Sequence, residues 1–125
     1  MAEDTQDLIP KEIFNLIDQK IEALVDKKKF FAKSKSNFDL FSRAIGHSKY
    51  HIRSYLKIKT TSFMALKNKC RIQMAQDLLL SENRYTIEYI AQKSGFDSLP
   101  NFFKIFKKSN NCTPDEYRKM KRDNR

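Results

Sequence analysis

Within the stretch SGFDSLPNFFKIFKK, residues 94–108, helical spacing turns Phe102, Ile105 and Phe106 to one face. Leu99, Pro100, Asn101, Phe103 and Lys104 are left on the outer side. An outward phenyl ring beside an amide and an ammonium is poor equipment for catalysis. It suits recognition: apolar contact from Leu99 and Phe103, hydrogen bonds from Asn101 and Lys104. A second stretch, GHSKYHIRSYLK at 46–57, turns Ile52, Tyr55 and Leu56 inward and leaves Lys49, Tyr50, Arg53, Ser54 and Lys57 outward. Arg53 carries a planar fork of donors fit for bidentate pairing.

Other chemistries find no footing. The chain has 2 glycines, far apart, so a glycine-rich phosphate loop is excluded. No Ser/His/Asp or Cys/His grouping suggests a nucleophile. Cys70 and Cys112 form no CxxC and stand at no metal-ligand spacing from His47 or His51. They are expected to be thiols in or beside the core, with His47 packing a turn and His51 on the surface. No enzyme activity, metal or cofactor is expected, and no small molecule is expected to bind this segment.

The charge points to a partner. Residues 1–26 hold 2 Lys against 7 Asp and Glu, and residues 27–125 hold 23 Lys and Arg against 8, which gives −5 followed by +15 and the overall +10. Such imbalance favours a polyanion or an anionic surface. No apolar run approaches a membrane span and the acidic MAEDTQDL start is unlike a signal peptide. The expectation is a soluble, cytoplasmic chain with no membrane contact by this segment.

The elements that must position these residues are helices, about seven, with no strand alternation. Ile13, Leu16, Ile17, Ile21, Leu24 and Val25 recur at threes and fours after Pro10. Phe38, Phe41 and Ile45 follow Asn37, a capping residue type, and Ile52, Tyr55 and Leu56 follow Ser48. A long helix from Thr61 or Ser62 carries Phe63, Leu66, Cys70, Met74, Leu78 and Leu79 as one stripe. Ile87, Ile90 and Ala91 follow Thr86, and Phe102, Ile105 and Phe106 follow Ser98. The last helix opens on Thr113-Pro114-Asp115-Glu116, a capping-box spacing.

These segments repeat. Asn37, Phe38, Phe41, Ser42 and Gly46 lie 49 residues before Thr86, Ile87, Ile90, Ala91 and Gly95. Ser48, Ile52, Leu56 and Lys57 lie 50 residues before Ser98, Phe102, Phe106 and Lys107. Each copy reads cap, short helix, glycine turn, cap, second helix. Ser42 and Ala91 are small enough for close helix approach, and glycine supplies a left-handed turn. That is helix-turn-helix grammar, written twice.

The chain resembles the AraC family of transcription regulators over roughly residues 10–121. TIEYIAQKSGFDSLPNFFKIFKKSNNCTPDEYRKMK is similar to the family's second helix-turn-helix and final helix, through Ile90-Ala91, Gly95-Phe96, Phe102, Phe106-Lys107, Thr113-Pro114 and Tyr117-Arg118. CRIQMAQDLLL resembles its linker helix at Arg71, Ile72, Ala75, Leu78 and Leu79, and GHSKYHIRSYLK its first recognition helix.

The resemblance implies an all-α fold of two helix-turn-helix units joined by a linker helix, each placing its second helix in a major groove of double-stranded DNA. On this reading 1–9 is an acidic tail or linker stub, 10–60 the first unit, 61–80 the linker helix and 81–125 the second unit with the C-terminal helix. The chain is then either a stand-alone regulator or a domain of a longer one, and the acidic, Pro10-punctuated start reads as a stub. The implied DNA-contacting set is Lys49, Tyr50, Arg53, Ser54, Lys57, Ser98, Leu99, Pro100, Asn101, Phe103, Lys104 and Lys107. Ser54 stands where the family usually has Arg. Arg53 is suited to guanine O6 and N7, and Leu99 with Phe103 to thymine methyls. RNA polymerase is admitted as a second partner. The rival reading is a basic helical module whose partner is protein or RNA.

Overall fold

The computed structural model describes residues 9–27, 30–33 and 35–123, with the Lys27 side chain outside that set. Seven α-helices and no strand occur among the described residues: α1 (Lys11–Lys27), α2 (Phe38–Ile45), α3 (Lys49–Ile58), α4 (Phe63–Leu79), α5 (Ile87–Lys93), α6 (Leu99–Asn110) and α7 (Pro114–Asp123). The expected all-α class is what the chain adopts. Of the supposed 1–9 tail, residues 1–8 lie outside the described residues, whereas Ile9 is a buried core residue.

The helices begin where the polar side chains dictate. Asn37, Ser48, Ser62, Thr86 and Ser98 each accept an N–H three residues on, at 2.9–3.2 Å, satisfying a donor the first turn leaves orphaned. At α7 the cap is reciprocal. Glu116 N–H donates to Thr113 Oγ1 at 3.1 Å, and Thr113 N–H donates to Glu116 Oε1 at 2.8 Å. Those bonds with Thr113 hold the Glu116 carboxyl below its ordinary range. Pro10 directly precedes α1 and its carbonyl accepts the Phe14 N–H at 3.0 Å. Both glycine turns are left-handed, with φ of 79° at Gly46 and 98° at Gly95.

The chain divides into two compact units: residues 1–30 with 35–67, and 31–34 with 68–125. In the first, Ile17 and Ile21 of α1 are buried, as are Phe41, Ile45, Ile52, Tyr55 and Leu56 of α2 and α3. Phe14 and Tyr55 stack obliquely at 4.8 Å, and the Tyr55 hydroxyl donates to the Asp18 carboxylate. Burial, and then that bond, push the Tyr55 hydroxyl well above its usual pKa. α3 is therefore seated on α1 by apolar and polar contacts together.

The second unit is built on Ile72, Ala75, Leu79, Ile90, Ala91, Phe96, Phe102 and Phe106. Phe106 meets Phe102 at 5.7 Å and Tyr117 at 5.5 Å, both edge-on. Two features depart from the sequence reading. Residues 31–33, placed there in the first unit, pack with the second. The α4 stripe is also shifted. Cys70, Arg71, Ile72, Ala75 and Leu79 are buried, while Leu66, Met74 and Leu78 are only half-buried. The buried member that apolar periodicity could not predict is Arg71. Its Nε donates to the Phe31 carbonyl at 2.7 Å and Nη2 to the Lys33 carbonyl at 2.9 Å, so its charge is solvated by the segment it captures.

Candidate nucleic-acid interface

On α3 the burial of Ile52, Tyr55 and Leu56 leaves Lys49, Tyr50, Arg53 and Lys57 exposed, as their spacing implies. Ser54 is the correction. It is 4% exposed, and its hydroxyl donates to the Tyr50 carbonyl at 3.0 Å. A small side chain whose hydrogen bond is met inside its own helix has no need of water, so Ser54 lies inside the fold. Where a longer residue would reach outward, this chain has none.

Two of the exposed cations are already engaged. Lys49 forms an ion pair with Asp39 at the start of α2, and the Lys49 ammonium holds that carboxyl below its usual range. The Arg53 guanidinium lies 4.8 Å over the Phe38 ring, a cation–π contact that restrains its fork. Neither contact was visible in the spacing, because both join different helices.

On α6 the pattern differs. Phe102 and Phe106 are fully buried, and Pro100 occupies the first turn, where its missing N–H is harmless. Phe103 remains 38% exposed, with its ring 6.0 Å from Phe102. The side chains of Asn101, Lys104 and Lys107 are exposed, with no hydrogen bond or ion pair among the described residues. Ser98 is exposed but committed as the cap. Leu99 is corrected in part: it is half-buried and packs against the core of the second unit, so it extends the outer apolar face less than expected. Phe103 is that face's principal member.

No helix among the described residues is long and apolar enough to cross a membrane. Among them, too, no group of three or more His, Cys, Asp or Glu is placed to hold a metal ion. Cys70 is buried and Cys112 half-buried, and they form no disulfide with each other.

A capped helix, a left-handed glycine turn and a second capped helix, present twice on a strongly basic chain, define a double helix-turn-helix protein of the DNA-binding class. Residues 41–120 match the family described as a helix-turn-helix domain, well over half of the chain. Among solved structures, the chain is similar to the C-terminal domain of AraT, a response regulator from Geobacillus stearothermophilus. That match has a TM-score of 0.69 and 26% identity over 90% of this chain and 87% of that one. The C-terminal domain of the two-component response regulator yesN from Fusobacterium nucleatum matches with a TM-score of 0.67 and 24% identity, covering 81% and 96%. A DNA-binding transcriptional dual regulator from Escherichia coli K-12 shares the fold with a TM-score of 0.70 and 21% identity, covering 90% and 94%. No curated protein sequence matches the chain. The chain belongs to the AraC-type helix-turn-helix family, and its function is sequence-specific DNA binding in transcription regulation.

Proposed function

We propose that both units read base edges, α3 chiefly through Arg53 and α6 chiefly through Phe103 and Asn101, with Lys57, Lys104 and Lys107 on the phosphates. The observation that carries this reading is Phe103. A 38%-exposed phenyl ring on the outer side of a helix-turn-helix second helix, flanked by exposed Asn101 and Lys104, loses apolar area to water in the free protein and recovers it against thymine methyls. Tyr50, 56% exposed on α3 at the position that matches Pro100, is an outward ring of the first unit and is suited to sugar or stacking contact.

Salt dependence tests the partner. With about 5–8 phosphates neutralised, log affinity for a duplex falls with log salt at a slope on the order of −4 to −8. A slope near zero on duplex DNA rejects DNA and returns the question to a protein or RNA partner. A ladder of preferred sites with altered half-site spacing tests whether both units read. Inserting about half a helical turn removes most of the specific affinity if they do, and leaves it unchanged if only one does.

A further inference from the structure

Away from the helix-turn-helix outer faces, the second unit holds a feature that DNA reading does not use. α4 ends at Leu79, and the chain turns sharply: Ser81 N–H reaches the Leu78 carbonyl at 3.2 Å, and Arg84 takes a left-handed backbone with φ of 53°. This turn faces α7 across a cleft of about 280 Å³ whose lining includes Arg84, Arg118 and Arg122, with Leu79 as its buried apolar part and Glu82 on its wall. Arg118 and Arg122 lie one turn apart on α7, an arrangement of like charges that weakens a helix. Among the described residues, none of the three arginines makes an ion pair. Arg118 is fixed by Nη2, which donates to the Tyr85 carbonyl at 2.6 Å, while its Nε is buried without an acceptor. A buried donor on a charged group left unmet is costly, and solvated surface arginines do not incur that cost.

We propose that this cleft binds a carboxylate monoanion. A carboxylate matches the planar guanidinium fork and supplies the ion-pair partner that Arg84, Arg118 and Arg122 lack among the described residues. Glu82 on the wall disfavours a dianion more than a monoanion, since Coulomb repulsion grows with charge. Leu79 and Leu80 give a short apolar stem something to lie against. The cleft is the size of a side chain or a small organic acid, smaller than most ligand pockets. The carboxylate comes either from a free small acid or from an acidic side chain of another protein. This assignment departs from the sequence expectation of no small-molecule site.

The test follows the arginine Nε–H resonances of the whole 125-residue chain during titration with propionate, a capped peptide bearing one aspartate, and inorganic phosphate. The expected result is a saturable shift confined to Arg84, Arg118 and Arg122. Propionate or the peptide binds more tightly than phosphate, and whichever of the two is tighter identifies the source. Arg84→Gln, at a surface position, weakens carboxylate binding by roughly threefold or more with its melting temperature unchanged. Its duplex affinity stays unaltered, so this result and the DNA reading can fail separately. Absence of saturation, or equal drift of every arginine resonance, overturns the proposal. So does tighter binding of phosphate accompanied by an equal loss of duplex affinity in Arg84→Gln, which makes the cleft a DNA-backbone contact.

Discussion

The two recognition helices are copies of one plan with opposite electrostatic economies. On α3 two of the exposed cations are restrained within the protein, Lys49 by Asp39 and Arg53 by the Phe38 ring. On α6, Lys104 and Lys107 form no hydrogen bond or ion pair among the described residues, Lys107 acting only at longer range on Glu116, and the outward feature is the phenyl ring of Phe103. The first helix offers preformed polar geometry, so any contact of Lys49 or Arg53 with DNA would have to compete with Asp39 and the Phe38 ring. The second offers exposed charge without ion pairs among the described residues and an outward apolar ring. A repeat can therefore preserve its caps and glycine turns while its outer faces diverge.

The largest effect that separates the copies is expected at the turns. A Cβ on Gly95 would lie 2.7 Å from the carbonyl oxygens of Phe31 and Ala32, and φ is 98°. At Gly46 it would meet only the mobile Lys20 ammonium, at 3.3 Å. Left-handed strain plus a backbone clash makes Gly95→Ala cost about 2–5 kcal/mol. Gly46→Ala carries strain alone, about 1–2 kcal/mol. Denaturant melts of both variants check the order, and equal losses would erase the asymmetry.

Next come the proposed readers. Phe103→Ala is expected to lower affinity at the preferred site by about 1–3 kcal/mol and less on random duplex, and Arg53→Ala to relax preference at one G·C pair in the other half-site. Binding measured across a panel of single-base variants, with melts alongside, checks both. Uniform loss on every sequence would mean these side chains only position the protein.

A smaller change probes how α3 is seated. Tyr55→Phe keeps the ring against Phe14 but removes the bond to Asp18, costing about 1–2 kcal/mol of stability. The corresponding α6 position, Ile105, is half-buried and apolar, and its substitution by Val should cost about 0.5–1.5 kcal/mol. Thermal melts of the two show whether polar anchoring belongs to the first unit alone.

The smallest effect concerns the restrained lysine. Asp39→Asn frees Lys49, so duplex affinity should rise roughly two- to fivefold and the salt slope steepen by about 1. Asp39 has its carboxyl pKa lowered from 3.8, so the ion pair is present above the unfolded value and is lost only as pH falls through the folded one. The gain should hence be the same from about pH 6 to 8, and a pH-dependent gain would point to another group.

How much of this was legible depended on range. Caps, glycine turns and inward apolar faces are local, set within a few residues, and Asn37, Ser48, Thr86, Ser98 and the Thr113–Glu116 box stand where their types put them. Ser54, placed outward by the spacing of Ile52, Tyr55 and Leu56, lies inside because a serine can satisfy itself within its helix. Arg71 escaped apolar periodicity because its burial depends on carbonyls some 40 residues earlier. The Phe38–Arg53 and Asp39–Lys49 contacts likewise join neighbouring helices and leave no mark in spacing.

The Arg71 contact bears on the order of events during synthesis. Phe31, fully buried, emerges from the ribosome long before the residues that enclose it, and the flanking helices α1 and α2 belong to the other unit. The second unit is therefore discontinuous along the chain and cannot close until its early segment has waited for Arg71 and then Gly95. Contacts this distant in sequence slow folding, since the loop must be ordered before it is rewarded. A fragment that begins at Thr61 would carry every element of the second unit and still leave the two donors of Arg71 without their carbonyls. The two halves are thus repeats in pattern but not separable modules in the gene, and recombination at the linker helix would yield a second unit missing one part of its core.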